Sequence, residues 1–426
     1  MQFFISEIAH KIIGNIRIAA VDEKYKKKEK LMMQSFVQYT PTKVVFGKDT
    51  QKEAGKLVSE LGITKVFLVY GGGSVIRSGL LDEIKKSLDE EHISYEELGG
   101  VKPNPRLSFA RKGVEKAIAF GAELILAVGG GSAIDTAKGI AIGAANPGTD
   151  IWEFWKNKKE LKKALPVGTV LTISAAGSEM SNSAVLTDEE TQDKSGIGSD
   201  LIRPKFAIMN PKLTYTLPKY QLTCGIVDIF MHTIERYFTP VHGNELTDEI
   251  AEGLMRTLIR NAAKAYENQE DYDAMSEIMW CGSISHNGIT GLGRPKDFLC
   301  HKLGHQLGAK FDEAHGATLS AVWGSWARYV YHLDEARFAN YGRKVWNIDE
   351  ENDEKTAVAA IEKTEEFFRS LHMPTCLGDM KMGVQPDEVL KEMAGKATAG
   401  DTMKVGAFQK MGAKELYEIY KKANHR

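Results

Sequence analysis

The sequence predicts an α/β N-terminal half with a Rossmann-like parallel sheet, followed by an all-helical C-terminal half. Three observations support this fold class. From Thr42 to Met209, short apolar runs alternate with helical patterns, which is typical of βαβ units. Two of these apolar runs lead directly into Gly-Gly-Gly-Ser, at residues 71–74 and 129–132. From Pro218 onward the β signals disappear and amphipathic helical patterns extend to the C-terminus.

The length of 426 residues exceeds one ordinary hydrophobic core and indicates two domains. We assign residues 33–217 to an α/β domain, for which the glycine-rich turns described below predict dinucleotide binding. We assign residues 218–426 to a helical domain, for which the histidine stretches described below predict metal binding and catalysis. Residues 1–32 form an N-terminal extension in which charges interrupt the apolar positions, and the order of its parts differs from that of a signal peptide. Because Met32 and Met33 offer an alternative start, we interpret the extension as a translated upstream leader.

Composition excludes several classes of protein. The formal net charge of −2 creates no field that would recruit nucleic acid or an anionic membrane. No apolar run reaches the roughly 20 residues that span a bilayer. Four scattered cysteines cannot form a disulfide framework, which fits a reducing cytoplasm. We therefore expect a cytoplasmic protein that acts on a small molecule, without nucleic acid or membrane partners.

The second glycine-rich turn follows an apolar strand at Leu124–Val128 and opens a helix. Its residues are Gly129, Gly130, Gly131 and Ser132. Glycines at such a junction let backbone N–H groups approach a phosphate, and the helix N-terminus adds free donors and a positive dipole end. Asp135 and Lys138 follow one turn later, on a face that could reach a ribose or a carboxamide.

Two further turns extend this pattern. The first strand, at residues 65–70, leads into Gly71, Gly72, Gly73 and Ser74, and a third turn at residues 172–179 offers small residues. A single glycine-rich turn of this kind can be an ordinary tight turn without a ligand. Two such turns, each at the end of a strand, favour the binding of a dinucleotide along the carboxyl edge of the sheet. The pyrophosphate would then lie at the second turn and the adenosine at the first. A hairpin is expected at residues 183–198.

The helical half contains two stretches of metal-ligand type. His301 and His305 stand at an i, i+4 spacing, so a helix would place them on one face, and Gly308 is expected to loosen that helix so that His315 can return towards them. Upstream, Asp228 and His232 have the same spacing on an otherwise apolar helix.

A buried carboxylate on an apolar helix is costly unless it is paired or bound to a cation. Combining the two stretches gives Asp228, His232 and two or three of the three later histidines. One carboxylate with imidazoles suits Zn²⁺ or Fe²⁺, whereas Ca²⁺ and Mg²⁺ prefer oxygen ligands. Glu235 and His286 are expected to support the site or to be structural, and Cys224 and Cys300 are expected to be small core residues.

Four motifs in this order resemble those of the iron-containing (group III) alcohol dehydrogenases, a family that shares its architecture with dehydroquinate synthase. They are the GGGSAID-TAK turn, the AAGSE turn, the D-x3-H helix and the H-x3-H-x9-H stretch. The segments TPTKVVFG, YGGGS, KPNP and TYTLP extend the likeness from about Phe36 to near the C-terminus. It is closest to the branch of NADPH-dependent butanol dehydrogenases and broad-range aldehyde reductases.

The resemblance implies specific site residues. It makes Asp228, His232, His301 and His315 the metal ligands and leaves His305 beside the site, for substrate or proton work. It places the cofactor diphosphate and nicotinamide ribose against the second turn and Asp135, with Thr172, Ser178 and Lys194 lining the same cleft. It also implies a homodimer in which the segment from Tyr39 to Val45 pairs across subunits.

The resemblance also bears on the choice of cofactor. NAD-preferring relatives carry an acidic residue after the first strand, where this chain has Gly72, Gly73 and Ser74, which leaves room for the 2′-phosphate of NADP(H). One departure is Ala176, which replaces the usual threonine of the third turn and removes a hydroxyl near the cofactor.

The implied activity is hydride transfer between NADP(H) and short- to medium-chain alcohols or aldehydes, assisted by one divalent metal. NAD-dependent oxidation of glycerol or another polyol is the nearest alternative. A dehydroquinate synthase-like lyase would need a cluster of basic residues that the metal-binding helices lack. A nucleotide- or metal-binding protein without activity is the non-enzymatic alternative, and Ala176 is the only feature that favours it.

Overall fold

The computed structural model describes residues 32–426, so the extension predicted for residues 1–32 lies, apart from Met32, outside the described residues. Eight strands are present in these residues: β1 (Lys43–Phe46), β2 (Lys65–Tyr70), β3 (Ser94–Gly99), β4 (Leu124–Gly129), β5 (Val167–Leu171), β6 (Ser183–Asp188), β7 (Asp193–Gly198) and β8 (Phe206–Met209). Six of them form one parallel sheet in the order β1-β8-β5-β4-β2-β3. The predicted hairpin is present as the antiparallel pair β6–β7.

The described N-terminal half also contains six helices. They are α1 (Ala54–Ser59), α2 (Ser74–Arg77), α3 (Leu80–Glu90), α4 (Leu107–Phe120), α5 (Gly131–Ala145) and α6 (Trp152–Trp155). Apolar cores lie on both faces of the sheet, which is why β2 and β4 are continuous apolar runs rather than alternating ones.

The strand order places the predicted turns side by side. The chain runs outward from β2 to β3 and then returns to the other side of β2 as β4. Ligands of open α/β sheets bind outside the carboxyl ends of the strands at such a reversal. The turns after β2, β4 and β5 therefore share one edge of the sheet, at the position where a dinucleotide is expected.

The helical half packs around one large apolar core. Its helices are α7 (Lys219–Tyr237), α8 (Glu245–Glu267), α9 (Tyr272–His286), α10 (Leu299–Phe311), α11 (His315–Val330), α12 (Glu335–Tyr341), α13 (Asp353–Ser370), α14 (Asp387–Ala397) and α15 (Ala413–Ala423), with a π-helical turn at Gly342–Trp346. Among residues 32–426, none of the helices has the length and apolar composition that a membrane crossing requires. The parallel sheet followed by helices confirms the predicted fold class.

One local prediction was wrong. Gly308 does not loosen the helix, because α10 continues through it to Phe311. The helix ends instead at Asp312, which adopts the left-handed conformation with φ 54°, and α11 begins at His315. The division of the chain between residues 217 and 218 falls between the last strand and α7, and it stays a prediction.

Candidate active site

A single cleft of about 1900 Å³ lies between the carboxyl edge of the sheet and the helices. Apart from Lys138, the residues that the sequence predicted for the site line it: Gly72, Gly73, Ser74, Gly129, Gly130, Gly131, Ser132, Asp135, Thr172, Ser178, Lys194, Asp228, His232, His301, His305 and His315. Pockets for drug-sized ligands are about 300–1,000 Å³. The cleft therefore has room for a dinucleotide together with a small substrate.

Close helix contacts bring the acidic and histidine stretches together. A side chain at Gly316, in α11, would lie 2.1 Å from the Cys224 carbonyl oxygen of α7. A side chain at Gly225 would lie 2.2 Å from the Ser174 carbonyl oxygen in the third turn. Because only glycine fits at these two contacts, α7 lies against both α11 and the edge of the sheet.

The result is a ring of imidazoles around one carboxylate. Asp228 Oδ1 lies 3.4 Å from His232 Nε2, 3.7 Å from His301 Nε2 and 3.7 Å from His315 Nε2. One ligand atom from each of Asp228, His232 and His301 falls within 4.8 Å of the others. Asp228, His232 and His301 are buried, and His315 is half-buried.

The donor set fits a metal ion. Metal–ligand bonds of about 2.0–2.2 Å place two ligands of a tetrahedral ion about 3.4 Å apart, which matches the observed separations. Within residues 32–426, Asp228 Oδ1 and His301 Nε2, which face each other in this ring, are buried and have no hydrogen-bond partner. Buried polar atoms are rarely left unpaired, so these groups require a ligand that the protein itself does not provide.

His301 is held from behind by a carboxylate. Its Nδ1 contacts Glu235 Oε2, and the other oxygen of Glu235 accepts the backbone N–H of Cys300 at 2.7 Å. Burial alone lowers the pKa of His301, but the charges of Glu235 and Asp228 outweigh burial and raise the pKa to about 9. Glu235 therefore acts in support of the cluster, as its sequence position suggested.

His232 is held by neutral and positive groups instead. Its Nδ1 lies 2.9 Å from Nδ1 of His286, the last residue of α9. Arg236, one turn further along α7, donates to His286 Nδ1 at 2.8 Å and to the His232 carbonyl oxygen. Burial, reinforced by the neighbouring positive charges, lowers the pKa of both imidazoles well below the usual value. Both rings are therefore neutral at physiological pH.

His305 lies beside the cluster rather than within it. Its ring centroid is 5.4 Å from that of His315 and 6.3 Å from that of His301. Burial, together with the charge of Lys194, lowers the pKa of His305 well below the usual value. Phe298 forms an apolar wall of the same pocket, with its ring 4.8 Å from His301 and 5.7 Å from His232.

The second glycine turn fits a phosphate group. A side chain at Gly130 would lie 1.9 Å from Ile173 Cγ2, and one at Gly131 would lie 3.5 Å from Ala176 Cβ. Gly130 is the N-cap of the 15-residue helix α5, so no side chain caps the first-turn N–H groups. Bare backbone donors at the N-terminus of a helix are the usual protein partner of a diphosphate.

Asp135 and Lys138 differ from one another in their surroundings. Asp135 lines the cleft, where its two oxygens accept from Ser178 Oγ at 2.6 Å and from the Val185 N–H at 2.9 Å. Lys138 does not reach a ribose, which corrects the expectation for that residue. Its Nζ is fully buried behind the turn and donates to the carbonyl oxygens of Ser178, Ser181 and Ser183 at 2.7–3.0 Å.

Lys194 joins the two halves of the cleft. Its Nζ donates to Asn104 Oδ1 at 2.9 Å, and Asn104 Nδ2 donates to Asp312 Oδ1, at the end of α10, at the same distance. Burial lowers the pKa of Lys194 to about 8. The charge of this side chain is therefore sensitive to pH near neutrality.

Sequence reasoning did not assign a role to Arg77, Arg236 or Phe298. Arg236 stands four residues after His232, so the same i, i+4 spacing that identified Asp228 could have identified it. Phe298 gave no signal, because its approach to the site depends on a left-handed backbone, with φ 51°, just before α10.

A Rossmann-like sheet with glycine turns, facing helices that present a carboxylate and several imidazoles, defines the class of a metal-assisted nicotinamide oxidoreductase. The sequence matches the family "Iron-containing alcohol dehydrogenase" over residues 41–211 and "Fe-containing alcohol dehydrogenase family, C-terminal" over residues 223–424.

Individual relatives agree with this assignment. The chain is 39% identical to NADH-dependent butanol dehydrogenase A of Clostridium acetobutylicum, over 92% of this chain and 100% of that protein. It is 37% identical to NADPH-dependent aldehyde reductase YqhD of Escherichia coli, over 82% and 89%. The crystal structure of NADH-dependent butanol dehydrogenase A from Thermotoga maritima superposes with a TM-score of 0.89 at 35% identity, over 93% of this chain and 100% of that one.

The chain belongs to the iron-containing alcohol dehydrogenase family. The predicted family and the predicted alcohol dehydrogenase or aldehyde reductase function are thereby confirmed. Membership also implies a divalent metal and a nicotinamide cofactor.

Proposed function

We propose that this protein reduces short- to medium-chain aldehydes to alcohols with NADPH, using one Fe²⁺ or Zn²⁺ ion held by Asp228, His232, His301 and His315. The observation that carries the proposal is the buried Asp228 Oδ1, which has no hydrogen-bond partner among residues 32–426 and faces three imidazole Nε2 atoms at 3.4–3.7 Å. Burying such a charge without compensation is costly. A cation at this point offsets that cost.

The bound groups supply known chemistry: the metal acts as a Lewis acid toward a carbonyl oxygen, and the nicotinamide carries the hydride. Side chains of the protein bind the substrate and transfer the proton. Phe298 provides an apolar wall against which an alkyl chain packs and from which water is excluded. To His305, which is neutral and half-buried beside the cluster, we assign the transfer of a proton from solvent to the product oxygen.

The preference for NADPH rests on the first turn. Gly72, Gly73 and Ser74 line the cleft and offer no carboxylate, whereas Arg77 lies directly over Gly73, where an added side chain would meet its Nη1 at 2.5 Å. A guanidinium at the adenosine end favours a 2′-phosphate. Among the relatives, butanol dehydrogenase A is described as NADH-dependent and YqhD as NADPH-dependent, so similarity alone leaves the choice open.

The test is a comparison of NADPH and NADH, each with butanal and, in the oxidative direction with the corresponding oxidised cofactor, with glycerol. We expect the highest kcat/KM with NADPH and butanal. A higher kcat/KM with NAD and glycerol would favour the polyol dehydrogenase alternative. Tight NADPH binding without turnover of any aldehyde would favour a binding protein without activity.

We also propose a homodimer formed along the edge of the sheet. β1 lies at this edge with β8 on one side, and the extended segment before it exposes Phe36, Val37 and Tyr39. An open strand edge with exposed apolar side chains favours pairing with a second chain. Sedimentation equilibrium would give the mass of the assembly, and a monomer at micromolar concentration would contradict the dimer.

The four cysteines are free, which fits the proposed cytoplasmic location.

A further inference from the structure

Two imidazoles of the cluster are supported in different ways. Behind His301 stands the carboxylate of Glu235, which can only accept a hydrogen bond, so Nδ1 of His301 carries the hydrogen and donates it. Behind His232 stands another imidazole, His286, and the two Nδ1 atoms face each other at 2.9 Å. Only one hydrogen fits between two nitrogen atoms at this distance. The contact alone does not determine which ring donates it.

Arg236 determines the direction of this hydrogen bond. A guanidinium has only donors, and Nη2 of Arg236 lies 2.8 Å from Nδ1 of His286. The other terminal nitrogen, Nη1, donates to the His232 carbonyl oxygen and lies farther, at 3.3 Å, from Nδ1 of His232. Nδ1 of His286 is therefore an acceptor, and its hydrogen resides on Nε2, which lies 2.9 Å from Ser183 Oγ. It follows that Nδ1 of His232 donates to His286. The Nε2 atom of His232 then keeps a free lone pair on the side of Asp228.

We propose that His286 and Arg236 are positioning residues that fix His232 in the tautomer whose Nε2 lone pair faces Asp228. Partners of this kind orient a metal-binding histidine and raise its affinity for the ion. The inference deepens the proposed function and rests on the metal site proposed there. It also assigns a purpose to Arg236, a buried guanidinium none of whose hydrogen bonds among residues 32–426 reaches a carboxylate.

The hydrogen-bonded residues Arg236, His286, His232 and Ser183 come from three separate elements of the fold. Arg236 and His232 lie one turn apart on α7, His286 ends α9, and Ser183 begins β6 in the α/β half. The support of His301 is more local by comparison, because Glu235 lies on α7 as well and contacts the start of α10. The orientation of His232 therefore depends on the correct docking of both halves of the chain.

The test compares two substitutions of nearly equal shape, His286→Asn and His286→Leu, in the full-length protein. Asparagine keeps an acceptor oxygen close to the position of Nδ1, whereas leucine has none. Zn²⁺ affinity is measured on the metal-free proteins by competition with a chelating dye. We expect His286→Leu to bind Zn²⁺ about 10–100-fold more weakly than the unmodified protein, and His286→Asn to bind nearly as well as it.

A purely structural role of His286 would give a different pattern. Both variants would then lose affinity together with thermal stability, and that result would overturn the inference, as would unchanged affinity in His286→Leu. If His286→Leu does not fold, Arg236→Met provides the second measurement. In ¹⁵N-histidine spectra of this variant, the tautomer of His232 that carries its hydrogen on Nδ1 should no longer be the dominant one. Retention of that tautomer would also overturn the inference.

Asp228→Asn separates this inference from the proposed function. If Asp228→Asn keeps the metal, the proposed metal site itself is wrong. If Asp228→Asn loses the metal while His286→Leu holds it as tightly as the unmodified protein, the metal site stands and only the positioning role of His286 and Arg236 is wrong.

Discussion

The two walls of the cleft are built on opposite principles. The wall formed by the sheet presents backbone N–H groups and small residues, and at Gly130 there is no space for even a methyl group beside Ile173. The wall formed by the helices presents Asp228 and a set of imidazoles, and Asp228 Oδ1 and His301 Nε2 are buried there without a hydrogen-bond partner within the described part of the chain. Added atoms should therefore damage the first wall, and removed atoms should damage the second.

The largest effect is expected on the helical wall, where His315 and His305 differ in role. His315→Ala removes a proposed ligand, and we expect metal affinity to fall by more than about 100-fold, beyond the loss typical of supporting residues. His305→Ala should keep the metal and lose rate. Bound metal per chain, measured after dialysis, distinguishes the two variants. Metal loss in His305→Ala but not in His315→Ala would show that the His301–His305 pair, rather than His315, holds the ion.

Arg77, the last residue of α2, places a positive charge beside the first turn of the sheet wall. Arg77→Ala should lower kcat/KM with NADPH by about 10–100-fold, the value of a hydrogen bond to a charged group, and should leave kcat/KM with NADH almost unchanged. Lys102→Ala, an exposed cation of the same cleft, is the matched control. If both variants weaken NADPH to the same extent, Arg77 has no specific role.

Gly130→Ala adds an atom to the sheet wall, 1.9 Å from Ile173 Cγ2. We expect overpacking of about 1–3 kcal/mol, visible as a lower thermal midpoint without cofactor and as weaker NADPH binding. Gly72→Ala is the control, because its added atom meets nothing within 4 Å. A midpoint of Gly130→Ala equal to that of Gly72→Ala would mean that Ile173 moves aside at little cost.

The smallest effect is expected from pH, through Lys194. Its pKa is lowered to about 8, so it is charged below that pH and neutral above it. The attraction to an anionic cofactor is therefore present at pH 7 and is lost as the pH rises through 8. We expect the dissociation constant of NADPH to increase by roughly fivefold, or about 1 kcal/mol, between pH 7 and pH 9. Lys194→Met should remove this dependence, and an identical pH profile in that variant would exclude Lys194 as its source.

The two walls also differed in how far the sequence could predict them. The glycine turns were identified because each directly follows an apolar strand, and parallel strands bring such turns to one edge. The ligand set was left open by spacing, since His301 and His305 form the natural i, i+4 pair. Choosing His315 needed the resemblance to a known family, because its place beside Asp228 depends on contacts between helices distant in sequence, such as Gly316 against Cys224.

The features that sequence reasoning missed are mostly long-range. Lys138 was expected at the cofactor, but it lies behind the third turn because three carbonyl oxygens from residues 178–183 surround its Nζ. Gly308 was expected to loosen α10, but glycine within a helix costs only about 1 kcal/mol, and the helix continues through it to Phe311. Arg236 could not be linked to His286, 50 residues away, without the structure.

The central claim is that the ring of imidazoles around Asp228 holds the ion on which aldehyde reduction depends. The most direct measurement is butanal-dependent oxidation of NADPH by protein stripped of metal with a chelator and then titrated anaerobically with Fe²⁺ or Zn²⁺. We expect no reduction of butanal at the start, a rise in rate that ends at one ion per chain, and no recovery in Asp228→Asn. Full activity in the metal-free protein, or recovery in Asp228→Asn, would contradict the claim.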